Sequence, residues 1–227
     1  MTIALGIRTP EGVVVATDSM RVSWRGQWPT VMLDDSKHVR LCDRLYYLVS
    51  GRFYYPRGGG PMFPLVDEGV PGATVDHLGP FMWNEVLARS IPAAENHDGL
   101  ESPSALLVAG GPKGQPPGLM LYRSNRQPVV APGPVMISGA ITEWAEANGV
   151  PDMPAPAGIE AAIELAEDVC RGFLTDSYRE WGIEHLLDPA AMRAQVNEPG
   201  GLIPPCSFPL HLVAITAERV TEWEVAS

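Results

Sequence analysis

Residues 12–18, GVVVATD, carry an apolar side chain at every position from 13 to 16. Successive side chains on a strand point to opposite faces, so Val13 and Val15 share one face and Val14 and Ala16 the other. A strand that is apolar on both faces has to be covered on both. That requirement excludes a single open sheet and calls for at least one further layer on each side. Residues 3–9 (IALGIRT) precede it, and the linking Pro10, Glu11 and Gly12 hold proline and glycine where a tight turn prefers them. The two segments read as a β-hairpin. Residues 37–42 (KHVRLC) and 44–50 (RLYYLVS), around Asp43, read as a second one.

The rest of the chain supplies the covering layers. Residues 52–73 are dense in glycine and proline and form a long loop, expected to be mobile and to lie beside Gly51. Residues 74–90 read as a helix interrupted at Gly79-Pro80. Strands are expected at 104–110, 118–123 and 134–138. The clearest helix is 157–174, with Ile159, Ile163, Ala166, Cys170 and Phe173 on one face and Glu160, Glu164, Glu167 and Arg171 on the other. A shorter helix at 188–196 opens with Asp188 as cap and Pro189 at the first position. A last hairpin spans 209–216 and 219–225. Strands at both ends with helices between them predict an α+β domain over residues 1–227, with antiparallel sheets covered by helices.

The 227 residues carry a net charge of -11, which argues against nucleic acid and an anionic membrane as partners, since both demand a basic face. No run of 18 apolar residues is present to span a bilayer. The first residues lack the charged and long apolar regions of a secretion signal. Three cysteines without C-x-x-C spacing suit a reducing compartment, so a cytoplasmic protein is expected. The histidines show no zinc-ligand spacing, and no P-loop or G-x-S-x-G elbow occurs; no metal or cofactor is expected.

Of the sixteen basic residues only Lys37 and Lys113 are lysine. Arginine is a fixed, forked charge, whereas an ammonium is a compact point charge that can be buried. Lys113 lies in a Gly/Pro turn. Lys37 lies at the open end of the second hairpin, opposite Ser50 and beside Gly51, and the open end of the first hairpin sets Thr2 opposite Asp18 or Ser19. If the two hairpins pack side by side in one sheet, these ends collect Thr2, Asp18, Lys37 and the backbone of Gly51. A threonine that becomes the first residue after removal of Met1 carries a hydroxyl and a free α-amine. With a pKa near 7.7–8.0, that amine can serve as base for its own hydroxyl.

The segments MTIALGIRTPEGVVVATDS and SKHVRLCDRLYYLVSG resemble proteasome β-subunits and their bacterial relatives, the N-terminal nucleophile hydrolases. The resemblance implies a four-layer αββα sandwich of two antiparallel sheets between helices. It implies Thr2 as nucleophile, Asp18 and Lys37 as its charged partners and the Gly51 N–H as oxyanion donor. It further implies Ser138, in VMISGA, as support for the amine and Asp176, in FLTDSYREWG, as the group that orients that serine and the nucleophile. The implied activity is hydrolysis of an amide bond in a peptide or a small acylated metabolite, without cofactor, in a homo-oligomer. Two departures stand out. Arg52 follows Gly51 where the family has a second glycine and a long helix, and Asp176 is followed by Ser177-Tyr178-Arg179, so the family's late serine is shifted to Ser177 or lost. Residues 180–208 read as an insertion. The alternatives are an inactive assembly or binding protein of this fold, and a small-molecule amidase or acylase.

Overall fold

The computed structural model describes residues 2–25, 28–33, 37–42, 44–50, 105–123, 133–198, 201–204 and 206–227. The loop expected at 52–73, the helix at 74–90 and Gly51 lie outside them. Eleven strands are described: β1 (Ile3–Arg8), β2 (Gly12–Asp18), β3 (Arg21–Arg25), β4 (Trp28–Met32), β5 (His38–Cys42), β6 (Leu45–Ser50), β7 (Ala105–Gly110), β8 (Gly118–Arg123), β9 (Val135–Gly139), β10 (Leu210–Thr216) and β11 (Val220–Val225). The described helices are α1 (Thr142–Ala147), α2 (Ile159–Glu180) and α3 (Pro189–Asn197).

The protein is mixed α+β with two larger antiparallel sheets. The first has five strands in the order β11-β10-β2-β1-β9, and the second has four in the order β5-β6-β7-β8. The β3–β4 hairpin stands as a separate two-stranded sheet. The double-sided β2 falls in the middle of the first sheet, and its alternation sorts the core into two layers. Val14 and Ala16 join Leu5, Ile7, Leu212 and the α2 residues Ala162, Ala166, Cys170 and Phe173 in one buried cluster. Val13 and Val15 join Ala4, Val213 and Ile215 with Tyr46, Leu48, Leu107 and Leu119 of the second sheet in another. One face of the first sheet is thus covered by a helix and the other shares a core with the second sheet. Gly6 marks how close that second approach is, because a Cβ there would come within 2.8 Å of Leu119.

Both hairpins form, but they lie in different sheets rather than side by side in one. In the first, Ala4 pairs with Thr17, which carries Thr2 to the level of Ser19 as expected. In the second, the register shifts between Arg40 and Cys42, and His38 stands opposite Leu48. The bulge inserts one unpaired residue into β5, so Lys37 falls at the level of Val49 instead of Ser50.

Helix α2 begins two residues after the expected start at 157 and runs six residues past residue 174. Thr175 to Ser177 are weak helix formers, yet Leu174 and Tyr178 stay buried on the same stripe, and Tyr178 donates its hydroxyl to the Cys206 carbonyl at 2.6 Å. Tertiary burial outweighs the local preference here. The first turn of α2 has no side-chain cap of its own; instead Glu11, from the β1–β2 turn, accepts the Ile159 N–H at 2.9 Å. A carboxylate at a helix N-terminus satisfies an otherwise orphaned donor and complements the helix dipole. Asp188 caps α3 as expected, accepting from Ala191 N at 2.8 Å. The β3–β4 hairpin and α1 are not anticipated by the pattern reading.

Candidate active site

The open ends of β1 and β2 meet the start of β5, and three of the residues singled out in the sequence converge there. Asp18 is fully buried at the end of β2, and Thr2, just ahead of β1, is buried too. Lys37 crosses from the second sheet with its side chain only 8% exposed. Its ammonium donates to both Asp18 carboxylate oxygens, at 2.8 and 2.7 Å, and reaches the Thr2 hydroxyl oxygen at 3.4 Å.

A buried carboxylate is tolerated only when paired and saturated with hydrogen bonds. Asp18 meets that condition with two backbone donors besides the ammonium: Ile3 N at 2.9 Å and Met20 N at 3.3 Å. The Ile3 bond ties the carboxylate to the residue that follows Thr2. The strand pairing itself therefore fixes the threonine relative to Asp18, and Asp18 fixes the ammonium. These backbone partners are invisible to motif reading, which compares side chains; the hairpin register is the signal that points to them.

The other side of Thr2 is built by β9. Ser138 pairs with Ala4 and Gly139 with Ile3, and the Ala140 N–H donates to the Thr2 carbonyl at 2.9 Å. Gly139 has φ 91°, in the region that favours glycine, which lets the chain turn back toward Thr2 at the strand end. Ser138 is buried and shares a sheet face with Ala4, two residues along from Thr2.

Asp176 does not join this group. Its carboxylate accepts from Trp144 Nε1 at 3.0 Å and from Arg179 at 3.1 Å, and its side chain is 49% exposed. Trp144 lies edge-on to Phe173, so Asp176 fastens α1 to the outside of α2. The expected role in orienting Ser138 and Thr2 is corrected on this point: the lengthened α2 carries residue 176 on its exposed side, between the buried Phe173 and Tyr178. Gly51 lies outside the described residues.

Two thiols lie near enough to Asp18 to feel its charge. Burial, then the Asp18 carboxylate, pushes both the Cys170 and the Cys206 thiols up. They stay protonated at neutral pH, and a thiol in that state is a poor nucleophile. The Tyr178 hydroxyl is pushed up as well, by burial first. Among the described residues the buried hydroxyls of Ser19 and Ser207 have no hydrogen-bond partner, and the Ser19 N–H meets the Ser207 carbonyl at 3.4 Å. Among the described residues no group of three or more His, Cys, Asp or Glu side chains could hold a metal ion, and no helix is long and apolar enough to cross a membrane.

The arrangement offers one hydroxyl, one ammonium within reach of it, and one carboxylate that holds the ammonium in place. It can lower the cost of developing negative charge on the Thr2 oxygen, the property required of an activated nucleophile. No protein-family profile and no curated protein matches the chain.

Proposed function

We propose that the protein hydrolyses amide bonds with Thr2 as an N-terminal nucleophile, in an αββα sandwich of the proteasome-like type. The observation that carries the reading is the single contact set at Lys37: both Asp18 oxygens within 2.8 Å and the Thr2 hydroxyl at 3.4 Å, with Thr2 and Asp18 buried and the Lys37 side chain only 8% exposed. A lysine used only as a surface charge has no reason to leave water for this position.

The chemistry requires a chain that starts at Thr2. The free amine then takes the hydroxyl proton while the threonine oxygen attacks the substrate carbonyl. The tetrahedral intermediate collapses as the protonated α-amine of Thr2 returns that proton to the leaving nitrogen, which departs as an amine. Water next attacks the threonine ester, its proton passing to the same amine, and the acid is released with the hydroxyl restored. Lys37 stabilises the threonine oxygen as it loses its proton, and Asp18 holds the lysine in place. The oxyanion donor is assigned to the Gly51 N–H by resemblance alone; such a donor is worth about 2.7–4 kcal/mol in acyl transfer. The substrate is a peptide or small amide, and a homo-oligomer is the expected assembly.

The test is turnover of fluorogenic peptide amides by three preparations: chain beginning at Thr2, chain retaining Met1, and Thr2→Ala. Only the first is active on this account. A second reading, an inactive binding protein of the same fold, draws on the diversion of Asp176 to Trp144 and Arg179. Native protein that retains Met1 and turns over no amide would favour it.

A further inference from the structure

Lys37 reaches Thr2 from the second sheet, so whatever sets β5 against the first sheet also sets the ammonium. A polar cluster bridges the two sheets next to it. Tyr46 of β6, fully buried, donates its hydroxyl to Glu222 Oε1 of β11 at 2.5 Å. The other oxygen of Glu222 lies 3.4 Å from Nε2 of His38, the residue that follows Lys37. The His38 ring leans on Tyr46 with centroids 5.8 Å apart and meets the His211 ring of β10 edge-on at 6.0 Å. His211 Nδ1 is 3.7 Å from Glu224, and the positive charge of Arg40 on β5 acts on Glu222.

The strand pattern puts three of these groups on one face. Along β10 and β11, Val213, Ile215 and Val220 pack into the core shared by the sheets, and His211, Glu222 and Glu224 occupy alternate positions on that same face. Polar residues on an otherwise apolar face need a reason. Leu210 stands opposite Asp18 and His211 opposite Thr17, so the cluster begins one residue from the carboxylate that holds Lys37.

We propose that Glu222 is a positioning residue for Lys37: by holding His38 and Tyr46 at once, it fixes the start of β5 against the first sheet at the separation where the ammonium spans Asp18 and Thr2. The functional part of this inference rests on the reading of Thr2 and Lys37 given above; the structural part does not. Glu222 is itself 43% exposed, so its replacement leaves the cores intact.

The experiment uses full-length protein labelled with 15N and 13C in lysine. With two lysines in the chain and Lys113 exposed, the ammonium signal that is protected from exchange identifies Lys37. Glu222→Ala should shift and broaden that signal and lower kcat by up to about 100-fold with KM little changed, the cost of a displaced catalytic group. Glu222→Gln, which keeps an oxygen for Tyr46 and an amide for His38, should restore both. An unchanged Lys37 signal in Glu222→Ala, whether or not the melting temperature falls, overturns the proposal. So does equal loss in the alanine and glutamine variants. Should Thr2→Ala retain activity, the reading of Thr2 fails, yet the lysine signal still decides the role of Glu222.

Discussion

Asp18 and Asp176 are two carboxylates with the same expected kind of role, and the molecule treats them in opposite ways. Asp18 is fully buried and bound by an ammonium and two backbone N–H groups. Asp176 is half exposed and shares its oxygens between the Trp144 indole of α1 and Arg179 of its own helix. A charge kept in the interior depends on every partner around it, whereas an exposed one is already stabilised by water. Energetic dependence, not residue type, separates the site from its surroundings.

The largest effect that sharpens this contrast is expected from Asp18→Asn. The change preserves shape but leaves a buried ammonium without its counter-charge, which costs about 3–5 kcal/mol. Denaturant unfolding should register that loss together with the disappearance of turnover. Lys37→Arg comes next. It retains the charge but forces a wider group into a packed site, at about 1–3 kcal/mol, and turnover should collapse because the fork cannot occupy the ammonium's place between Asp18 and Thr2. Activity retained in Lys37→Arg would reduce the lysine to a structural charge.

Acid should have a smaller and graded effect. Burial holds His38 below its ordinary 6.5, with the Glu222 hydrogen bond opposing and His211 adding to the shift. The Tyr46 hydrogen bond, ahead of the contrary effect of burial, holds Glu222 below its ordinary 4.5. Both depressed values mean that the unfolded chain takes up protons first. The stability they provide is present above those ordinary values and is lost as pH falls through the lower folded ones. Thermal melts between pH 7 and 4 should show this decline, and His38→Gln should flatten its upper part. The smallest effect is expected from Asp176→Asn, within about 0.5–1 kcal/mol as for exposed pairs, with turnover changed less than about twofold. A large loss of turnover there would restore Asp176 to the site and break the comparison.

Much of this was legible in the sequence, and the reasons are local. The β1–β2 hairpin follows from its turn residues and double-sided apolar pattern, and the hydrophobic stripe of α2 from its 3.6-residue period. Thr2, Asp18 and Lys37 do meet, but the expected route, two hairpins side by side in one sheet, is not the one taken: Lys37 arrives from the second sheet. What was not legible depends on the chain meeting itself elsewhere. The β5 bulge displaces Lys37 by one register step, a matter of backbone irregularity that no side chain announces. The extension of α2 depends on Tyr178 finding the Cys206 carbonyl 28 residues on, and that extension carries Asp176 out of the site. The Glu222 contacts join residues more than 170 positions apart.

The central claim is that Thr2 is the nucleophile and acts through its own amine. An epoxyketone tests it most directly, because closing its ring adduct needs both the hydroxyl and the free amine. Protein beginning at Thr2, treated with a panel that includes a small epoxyketone, should gain the mass of one inhibitor, mapped by peptide sequencing to Thr2. The adduct should be absent from Thr2→Ala and from protein that keeps Met1, and partly retained in Thr2→Ser. Labelling at Cys42 or Ser138, or no labelling of a chain proven to start at Thr2, would contradict the account.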